Sequence, residues 1–499
     1  MSDSESSPLL GFRNAPSYSP FPTIQTAIHN LGPHPDRAVI DDIIPAGVDD
    51  SVGTSFKLVV LLQLRANKLN PPRYPDSDVW TRWNDATIAE VQVEELDRYL
   101  RHTLDDFLFH PRTSLQLERL LWTPFLQADD SSRASRVVDF LADCPLLSHD
   151  VVMLSVDHVW RHGPQLSGPL RGSDSASRFD EICTPRVLHA VDLVAHLFYF
   201  GVVVSYVMHP PYETVLDEDD DPEIQRTGWR EIVLVIFAAA ILTRRPWAFS
   251  KVPTLTLFIV FLANIPSVPF AGSASFDILL LCFALHAFQF HFPTTPSPLF
   301  LFKRSLPFAA FLVDGFYHII IPPIMFFLPI FILITTWLSM ALSETFFMPT
   351  SLATLIPTPI QTRTTVLYLF FILVSAISSS LLIIVVHGRN IDPTARGWDT
   401  YGDNVARRAR ASFVRAVMAY ASPHTFPAPF SLLNTLFVIF PSLVWTRLLG
   451  RPLVALFSQA EKQLWRWTVC PFAFVCWCIF YFLPCQKPKS RLSFNTSIM

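Results

Sequence analysis

Three polar residues interrupt the apolar stretch 187–207 of the chain. His189, Asp192 and His196 are spaced i, i+3 and i+7, so on a helix they share one stripe. A carboxylate and two imidazoles on one stripe could form an ion path, a gating contact or a proton relay. The alternative is structural, because Asp192 could instead pair with a cation on a neighbouring helix and lock the helices together.

A second pair of the same residue types, Asp314 and His318, occurs at i, i+4 in the long apolar stretch 305–342. An ionisable residue at membrane depth costs about 2.5–3.5 kcal/mol on insertion scales, so it usually faces a bundle interior and a partner. The functional interpretations given for Asp192 therefore apply to this pair as well. Alternatively, the pair lies at the membrane surface, where it is half-solvated.

Two further features suit a conduction path. Glu344 is the one acidic residue of the loop 343–364, and in an oligomer its copies would form a carboxylate ring of the kind that selects cations. The apolar run 365–387 carries small polar residues among branched aliphatics: Ser375, Ser378, Ser379 and Ser380. These serines could line a pore, or they could let helices approach closely and hydrogen-bond to one another.

The motifs of several enzyme classes are missing from the sequence. There is no G-x-S-x-G elbow, no Walker A loop and no G-x-G-x-x-G. The histidine pairs of the apolar runs, His189 with His196 and His286 with His291, do not have the H-x-x-x-H spacing of membrane oxygenases. The seven cysteines form no C-x-x-C pair. The sequence therefore predicts a protein that is not an enzyme and binds neither cofactor nor resident metal.

Charge also restricts the partners. The formal net charge is -4, and no basic stripe with interleaved aromatics occurs, so nucleic acid is not a predicted partner. Asp and Glu are concentrated in the stretch 212–225, which lacks the Gly and the D-x-D-x-D alternation of an EF-hand loop. That stretch is either a solvated charge run or a loose site for Ca²⁺.

The composition predicts a polytopic membrane protein. The chain is 51% hydrophobic and 16% charged, whereas soluble domains carry about 25% charged residues. The fold class expected is all-α, with about six transmembrane helices and an N-terminal cytosolic helical linker domain. The apolar runs are 187–207, 229–246, 252–270, 274–291, 305–342 (an interfacial helix 305–317 and a spanning helix 318–342), 365–387, 428–446 and 468–484.

Loop charges orient these runs, because Lys and Arg stay on the cytosolic side. Basic residues follow the second, fourth and sixth runs, whereas the alternate loops hold few or none. Six crossings with both termini in the cytosol satisfy this pattern. The runs 428–446 and 468–484 have basic residues on both sides, so we predict an interfacial or re-entrant pair, with a transmembrane hairpin as the alternative.

The predicted organisation has six parts. Residues 1–52 are rich in Ser, Pro and Asp, which indicates disorder, and helical spacing of apolar residues predicts the linker domain that follows. The parts are a disordered tail (1–52), the cytosolic helical linker domain (53–163), a linker (164–185), the six-helix transmembrane channel-like domain (186–387), a cytosolic Arg-rich helix (388–426), and C-terminal interfacial or re-entrant helices with a tail (427–499).

The tail also contains a candidate sorting signal. Glu5, Leu9 and Leu10 fit the acidic dileucine pattern E-x-x-x-L-L. Such motifs are addresses read by cytosolic sorting adaptors rather than membrane anchors. The motif predicts an adaptor as a partner and a lysosome- or vacuole-like compartment as the destination.

The layout resembles that of the fungal TRP-like vacuolar cation channels of the TRPY type. The resemblance rests on the helical linker domain, on Thr184-Pro185-Arg186 before the first crossing, and on six crossings with a pore loop between the last two. After the sixth crossing come an Arg-rich helix, Val405–Tyr420, and a proline-flanked apolar motif at Ala428–Asn434. In that motif Ser431 stands where the family has Asn, and Asn434 where it has Glu.

The resemblance implies a homotetrameric, calcium-permeable, non-selective cation channel of the vacuolar membrane. It also implies that run 187–207 is the first helix of a four-helix bundle, with Asp192 as a buried contact paired with Arg230 or Arg244. Two alternatives stay open. One is a proton-coupled secondary transporter that uses Asp192, His196 and the Asp314–His318 pair as a relay. The other is a non-conducting membrane scaffold.

Overall fold

The computed structural model is built almost entirely of helices. The described residues are 85% helical and 1% strand, which confirms the all-α fold class. The structure describes residues 21–31, 48–69, 78–128, 134–164, 182–211, 228–244, 251–265, 267–270, 272–289, 301, 305–322, 325–330, 332–338, 360–387, 397–421, 424–449 and 454–482.

The helices of the N-terminal part pack around one central helix, α2 (Asp50–Leu69). Its residues Phe56 and Leu58–Leu61 are completely buried, which explains why this segment is nearly continuously apolar. Helix α4 begins at a capping box in which Thr113 and Gln116 satisfy each other's backbone N–H groups. The elements are α1 (Ile24–Leu31), α2 (Asp50–Leu69), α3 (Val79–Leu108), α4 (Ser114–Trp122), β1 (Phe125–Leu126), β2 (Ala134–Ser135), α5 (Val137–Phe140) and α6 (Asp150–His162). The helices predicted here are present, and their role as a cytosolic linker domain stays a prediction.

The prediction of disorder over residues 1–52 is wrong for Ile24–Leu31. This segment is helix α1, and Ile24, Ala27 and Leu31 are at most 5% exposed. These residues are spaced i, i+3 and i+7, so they form one apolar stripe that packs on α2. The surrounding Ser and Pro residues masked this short amphipathic pattern in the composition.

Apolar helices follow in the order predicted from the hydrophobic runs. They are α7 (Pro185–Met208), α8 (Trp229–Thr243), α9 (Val252–Ala263), α10 (Ala274–Gln289), α11 (Ser305–Gly315), α12 (Met325–Leu338) and α13 (Ile360–His387). Three described helices are long and apolar enough to cross a membrane: Pro185–Met208, Leu367–Val386 and Phe430–Leu448. These helices make the chain compatible with a membrane protein. The count of six crossings is not confirmed, because α8, α9 and α10 have only 15, 12 and 16 residues, whereas a span needs about 20.

The long apolar stretch 305–342 is bent, as its prolines predict. Helix α11 continues into a π-helical turn, Phe316–Ile320, and the helices on either side of the break differ in direction by 75°. The first helix of the bent pair ends at Ile320 rather than at 317, and Pro322, which has no backbone N–H to donate, follows it closely. If the bent pair counts as one span, the described helices that could cross a membrane number four.

Two helical segments near the C-terminus pack on the first apolar helices. The first comprises α15 (Phe430–Asn434), a π turn (Thr435–Ile439) and α16 (Phe440–Leu449), and α15 lies against α8. The second, α17 (Val454–Phe482), lies against α7. Phe430–Leu448 is long and apolar enough to cross a membrane, and the choice between an interfacial or re-entrant pair and a hairpin stays a prediction.

Helix α14 (Asp403–Ala421) is the predicted Arg-rich helix, and much of it is buried. It contacts α6 of the N-terminal part, α7 and α11. Its apolar face includes Phe413, Val414 and Val417, all nearly completely buried. One hydrophobic core therefore runs from α1–α6 through α14 to α11 and the end of α13.

Candidate functional site

Asp192 is the centre of a buried polar cluster that joins three helices. It lies on α7 and is 2% exposed. Its Oδ1 accepts a hydrogen bond from Arg244 Nη1 at 2.7 Å, and its Oδ2 accepts one from the Tyr420 hydroxyl at 2.7 Å. Arg244 follows the last residue of α8, and Tyr420 is near the end of α14. Both carboxylate oxygens are thus engaged, and the pairing with Arg244, one of the two cations expected, is confirmed.

The two histidines of the stripe have different surroundings, since His196 contacts Asp192 and His189 packs against aromatic rings. His196 Nδ1 is 2.8 Å from the backbone carbonyl oxygen of Asp192 and 3.5 Å from its Oδ1. Because a carbonyl oxygen only accepts, the Nδ1 of His196 carries the hydrogen. His189 is 7% exposed, and its ring packs against those of Trp160 and Tyr420, with centroids 5.5 and 5.2 Å apart. His189 therefore faces α6 and α14, and Asp192 faces α14 and the end of α8.

Asp314 and His318 repeat the local geometry of Asp192 and His196. His318 Nδ1 is 2.8 Å from the Asp314 carbonyl oxygen and 3.5 Å from Oδ1. Asp314 forms an ion pair with Arg408 of α14. The Asp314 side chain is 20% exposed and that of His318 is 64% exposed, so this pair is far more accessible to solvent than the cluster at Asp192.

Helix α14 thus contacts two acidic residues of the apolar helices, Asp192 through Tyr420 at one end and Asp314 through Arg408 near the other. A further contact reaches the N-terminal part, where Arg415 Nη2 lies 4.0 Å from Asp143 Oδ1. Arg408, Arg415 and Asp143 line a cavity of about 470 Å³ between α14, α11 and the turn after α5. Arg410 is nearly buried and pairs with Asp399 at 2.9 Å, which ties the start of α14 to the turn that precedes it.

Arg244 also contacts the segment that follows it. The Lys251 ammonium, at the start of α9, donates a hydrogen bond to the Arg244 carbonyl oxygen. Burial, with a smaller contribution from the nearby Arg244 charge, lowers the pKa of Lys251 to about 8. The cluster at Asp192 therefore adjoins a lysine whose pKa lies below the usual range of lysine side chains.

The serines of α13 are separate from these clusters. Ser375 and Ser378 are exposed in the single chain, and Ser379 is half-buried. The Ser380 hydroxyl donates to the Ala376 carbonyl oxygen at 2.8 Å. The exposed serines belong to a face that is left uncovered by the described part of this chain, together with large apolar residues such as Ile377 and Leu381.

Helix α13 makes one tight contact near its end. Gly315, the last residue of α11, lies so close to α13 that a Cβ added there would be 2.4 Å from Ile383 Cγ2. Ile383 is 1% exposed. The absence of a side chain at Gly315 is what allows α11 and α13 to approach each other.

Several predicted residues lie outside the described ranges. These are Glu344, the sorting residues Glu5, Leu9 and Leu10, and the whole acidic stretch 212–225. Among the residues that the structure does describe, no group of three or more His, Cys, Asp or Glu side chains could hold a metal ion.

Sequence reasoning missed two partners, Tyr420 and Arg408. A buried tyrosine hydroxyl needs a hydrogen-bond partner, so Tyr420 on the apolar face of α14 was a signal. The sequence did not reveal which acceptor it meets, because Asp192 is far away along the chain.

The sequence matches no protein-family profile and no curated protein sequence.

Proposed function

We propose that the chain is a TRP-like, calcium-permeable cation channel of an internal fungal membrane, the vacuolar membrane in particular. In this proposal it assembles as a homotetramer with six crossings per chain and cytosolic termini. Helix α13 and the loop 343–364 would line the ion path, with Ser375, Ser378 and Glu344 facing it.

The observation that carries the proposal is the position of α14. This helix comes next in the chain after α13, the candidate pore helix, and contacts α6, α7 and α11 at the same time. A helix held in this way transmits a displacement of the N-terminal helices to the end of α13. Channels that open in response to a stimulus need such a mechanical connection between a sensing part and a pore.

The polar contacts of α14 support this interpretation. Tyr420 binds the buried Asp192 of α7, and Arg408 pairs with Asp314 of α11. In addition, α11 meets α13 directly at Gly315 and Ile383. The pore helix is therefore connected to α14 both along the chain and through α11, and Asp192 acts as a gating contact rather than as an ion site.

The engagement of Asp192 weighs against the proton-coupled transporter. A relay residue must exchange its proton with successive partners, whereas both Asp192 oxygens are held by Arg244 and Tyr420.

Current recording from isolated fungal vacuoles tests the proposal. We expect a cation current that carries Ca²⁺ and that is missing from vacuoles lacking the protein. Tyr420→Phe removes only the hydroxyl that binds Asp192, so it should shift the stimulus needed for half-maximal opening and leave the reversal potential unchanged. Glu344→Gln should shift the reversal potential in Ca²⁺ gradients.

The matched control is Tyr401→Phe, a change of the same kind in the turn before α14. It should leave both quantities as in the wild type. A protein that reaches the vacuole but passes no current across Ca²⁺ and osmotic steps would refute the channel. A current whose reversal potential follows the proton gradient would instead support the transporter.

A further inference from the structure

Two cysteines far apart in the sequence meet where α17 packs on the start of α7. Cys183 comes two residues before α7, and Cys470 is in the middle of α17. Their sulfur atoms are 3.7 Å apart. Neither residue contributes to the clusters at Asp192 or Asp314.

The surrounding packing holds the two thiols in this position. Cys183 is followed at i+4 and i+8 by Val187 and Val191, and these residues share a small hydrophobic cluster with Ala473 of α17. Ala473 is completely buried, and its small side chain lets the two helices approach closely. Cys183 itself precedes the helix, and its contact with Cys470 adjoins this packed interface between α7 and α17.

The distance suits formation of a disulfide. A disulfide has an S–S length of about 2.05 Å, so the two sulfurs would need to approach by roughly 1.7 Å. Rotation about the two Cα–Cβ bonds moves sulfur atoms by such amounts. Cys183 is half-buried, whereas Cys470 is 8% exposed, so a small oxidant reaches Cys183 first.

We propose that Cys183 and Cys470 are an oxidative modification site that forms a reversible disulfide with hydrogen peroxide. The Cys183 sulfur attacks one peroxide oxygen, the O–O bond breaks, and a sulfenic acid and one water form. The Cys470 sulfur then attacks the sulfenic sulfur, forms the S–S bond and releases a second water. Two thiols are oxidised to one disulfide, and one peroxide is reduced to two waters.

The modification would tie α17 covalently to α7. A cytosolic thiol reductant such as glutathione would reverse it, as is usual for disulfides exposed to that compartment. The inference does not depend on conduction, because it concerns only the contact between α7 and α17.

Peptide mapping of the full-length protein in isolated membranes tests the proposal. The membranes are treated with hydrogen peroxide, remaining thiols are blocked with N-ethylmaleimide, and the protein is digested without reduction. Chymotrypsin cleaves after aromatic residues such as Phe472 and Phe474, and so separates Cys470 from Cys476. We expect a linked pair of peptides containing Cys183 and Cys470, which dithiothreitol separates.

Variants define the partners. Cys183→Ser and Cys470→Ser should each abolish the linked pair, whereas Cys476→Ser, a change in the same interface, should preserve it. If a variant fails to fold, the peptide map of the wild-type protein is by itself a sufficient test. The proposal would be overturned if Cys183 and Cys470 both carried the maleimide after peroxide treatment. A link between Cys183 and Cys476 instead would also overturn it.

Discussion

The ion pair between Asp192 and Arg244 yields a sharp prediction about stability. The two residues belong to different helices, and their charged atoms are 2.7 Å apart. We consider five variants of the full chain: Asp192→Ala, Arg244→Ala, the double variant of these two, and, as controls, Arg230→Ala alone and combined with Asp192→Ala. Arg230 lies at the other end of α8 and donates to the carbonyl oxygens of Ser205 and His209.

The magnitude follows from the distance and the burial. Two unit charges 2.7 Å apart attract by about 6 kcal/mol at an effective dielectric constant of about 20, which is an upper bound because desolvation opposes it. Removing one partner of a buried pair costs about 3–5 kcal/mol, since the other charge is left uncompensated. The Asp192 side chain is 3% exposed and that of Arg244 is 23% exposed. Arg244→Ala should therefore cost more than Asp192→Ala, because the stranded carboxylate has less access to water than the stranded guanidinium.

The double variant leaves no stranded charge. Its loss in the free energy of unfolding should be smaller than the sum of the two single losses by about 3 kcal/mol. The assay is thermal unfolding of the detergent-solubilised protein, followed by tryptophan fluorescence. For a chain of 499 residues the unfolding entropy is about 1 kcal/mol/K, so a loss of 3–5 kcal/mol corresponds to a decrease in Tm of about 3–5 °C.

The control separates this pair from general effects. Arg230→Ala combined with Asp192→Ala should give the sum of the single shifts, because Arg230 is not a partner of Asp192. If the Asp192 and Arg244 losses also add, the two charges are not coupled, and the argument for a buried ion pair is refuted.

Three further predictions concern the rest of the molecule. Ile24→Ala should destabilise the N-terminal helices by about 2–4 kcal/mol, because Ile24 is 0% exposed. Limited proteolysis of the full chain should then cut near α1 sooner than in the wild type. The control is Ile28→Ala, since Ile28 is only half-buried. Burial lowers the pKa of Lys251 to about 8, below the value of about 10.4 in the unfolded chain. The unfolded state then binds more protons between these values, so the wild type should gain stability as the pH rises from about 8 to 10, and Lys251→Met should lose that part of the pH dependence; equal pH profiles would contradict it. Burial raises the pKa of Cys144 to about 11, so at pH 8 this thiol should react with maleimide only after unfolding, and fast labelling of the native protein would show that Cys144 is accessible.

The sequence was sufficient for the helical class and for the order of the apolar helices, because runs of apolar residues report burial directly. The bend near Pro322 was predictable for a similar reason, since proline has a local effect on the backbone. The position of the break was less certain, because the helix continues to Ile320 through a π turn.

The residues at the centre of the polar clusters were predictable from the sequence, but most of their partners were not. The stripe that contains Asp192 and His196 follows from helical spacing, and a buried carboxylate needs a cation. The choice of Arg244, and the contribution of Tyr420, depend on how α14 packs against α7 across a long separation in sequence. Helix α1 was missed because a helix of eight residues inside a Ser- and Pro-rich stretch has too short a pattern to outweigh the composition.

Helix α14 also sets a fixed spacing between its two polar anchor points. Arg408 and Tyr420 are separated by roughly three helical turns, or about 18 Å along the axis. Inserting a single residue between them would turn one anchor by about 100° relative to the other, so Arg408 and Tyr420 could not both meet their carboxylates. The helix thus fixes both the distance and the angle between the two anchor residues. We expect α14 to tolerate neither insertion nor deletion, even where individual surface side chains can be exchanged.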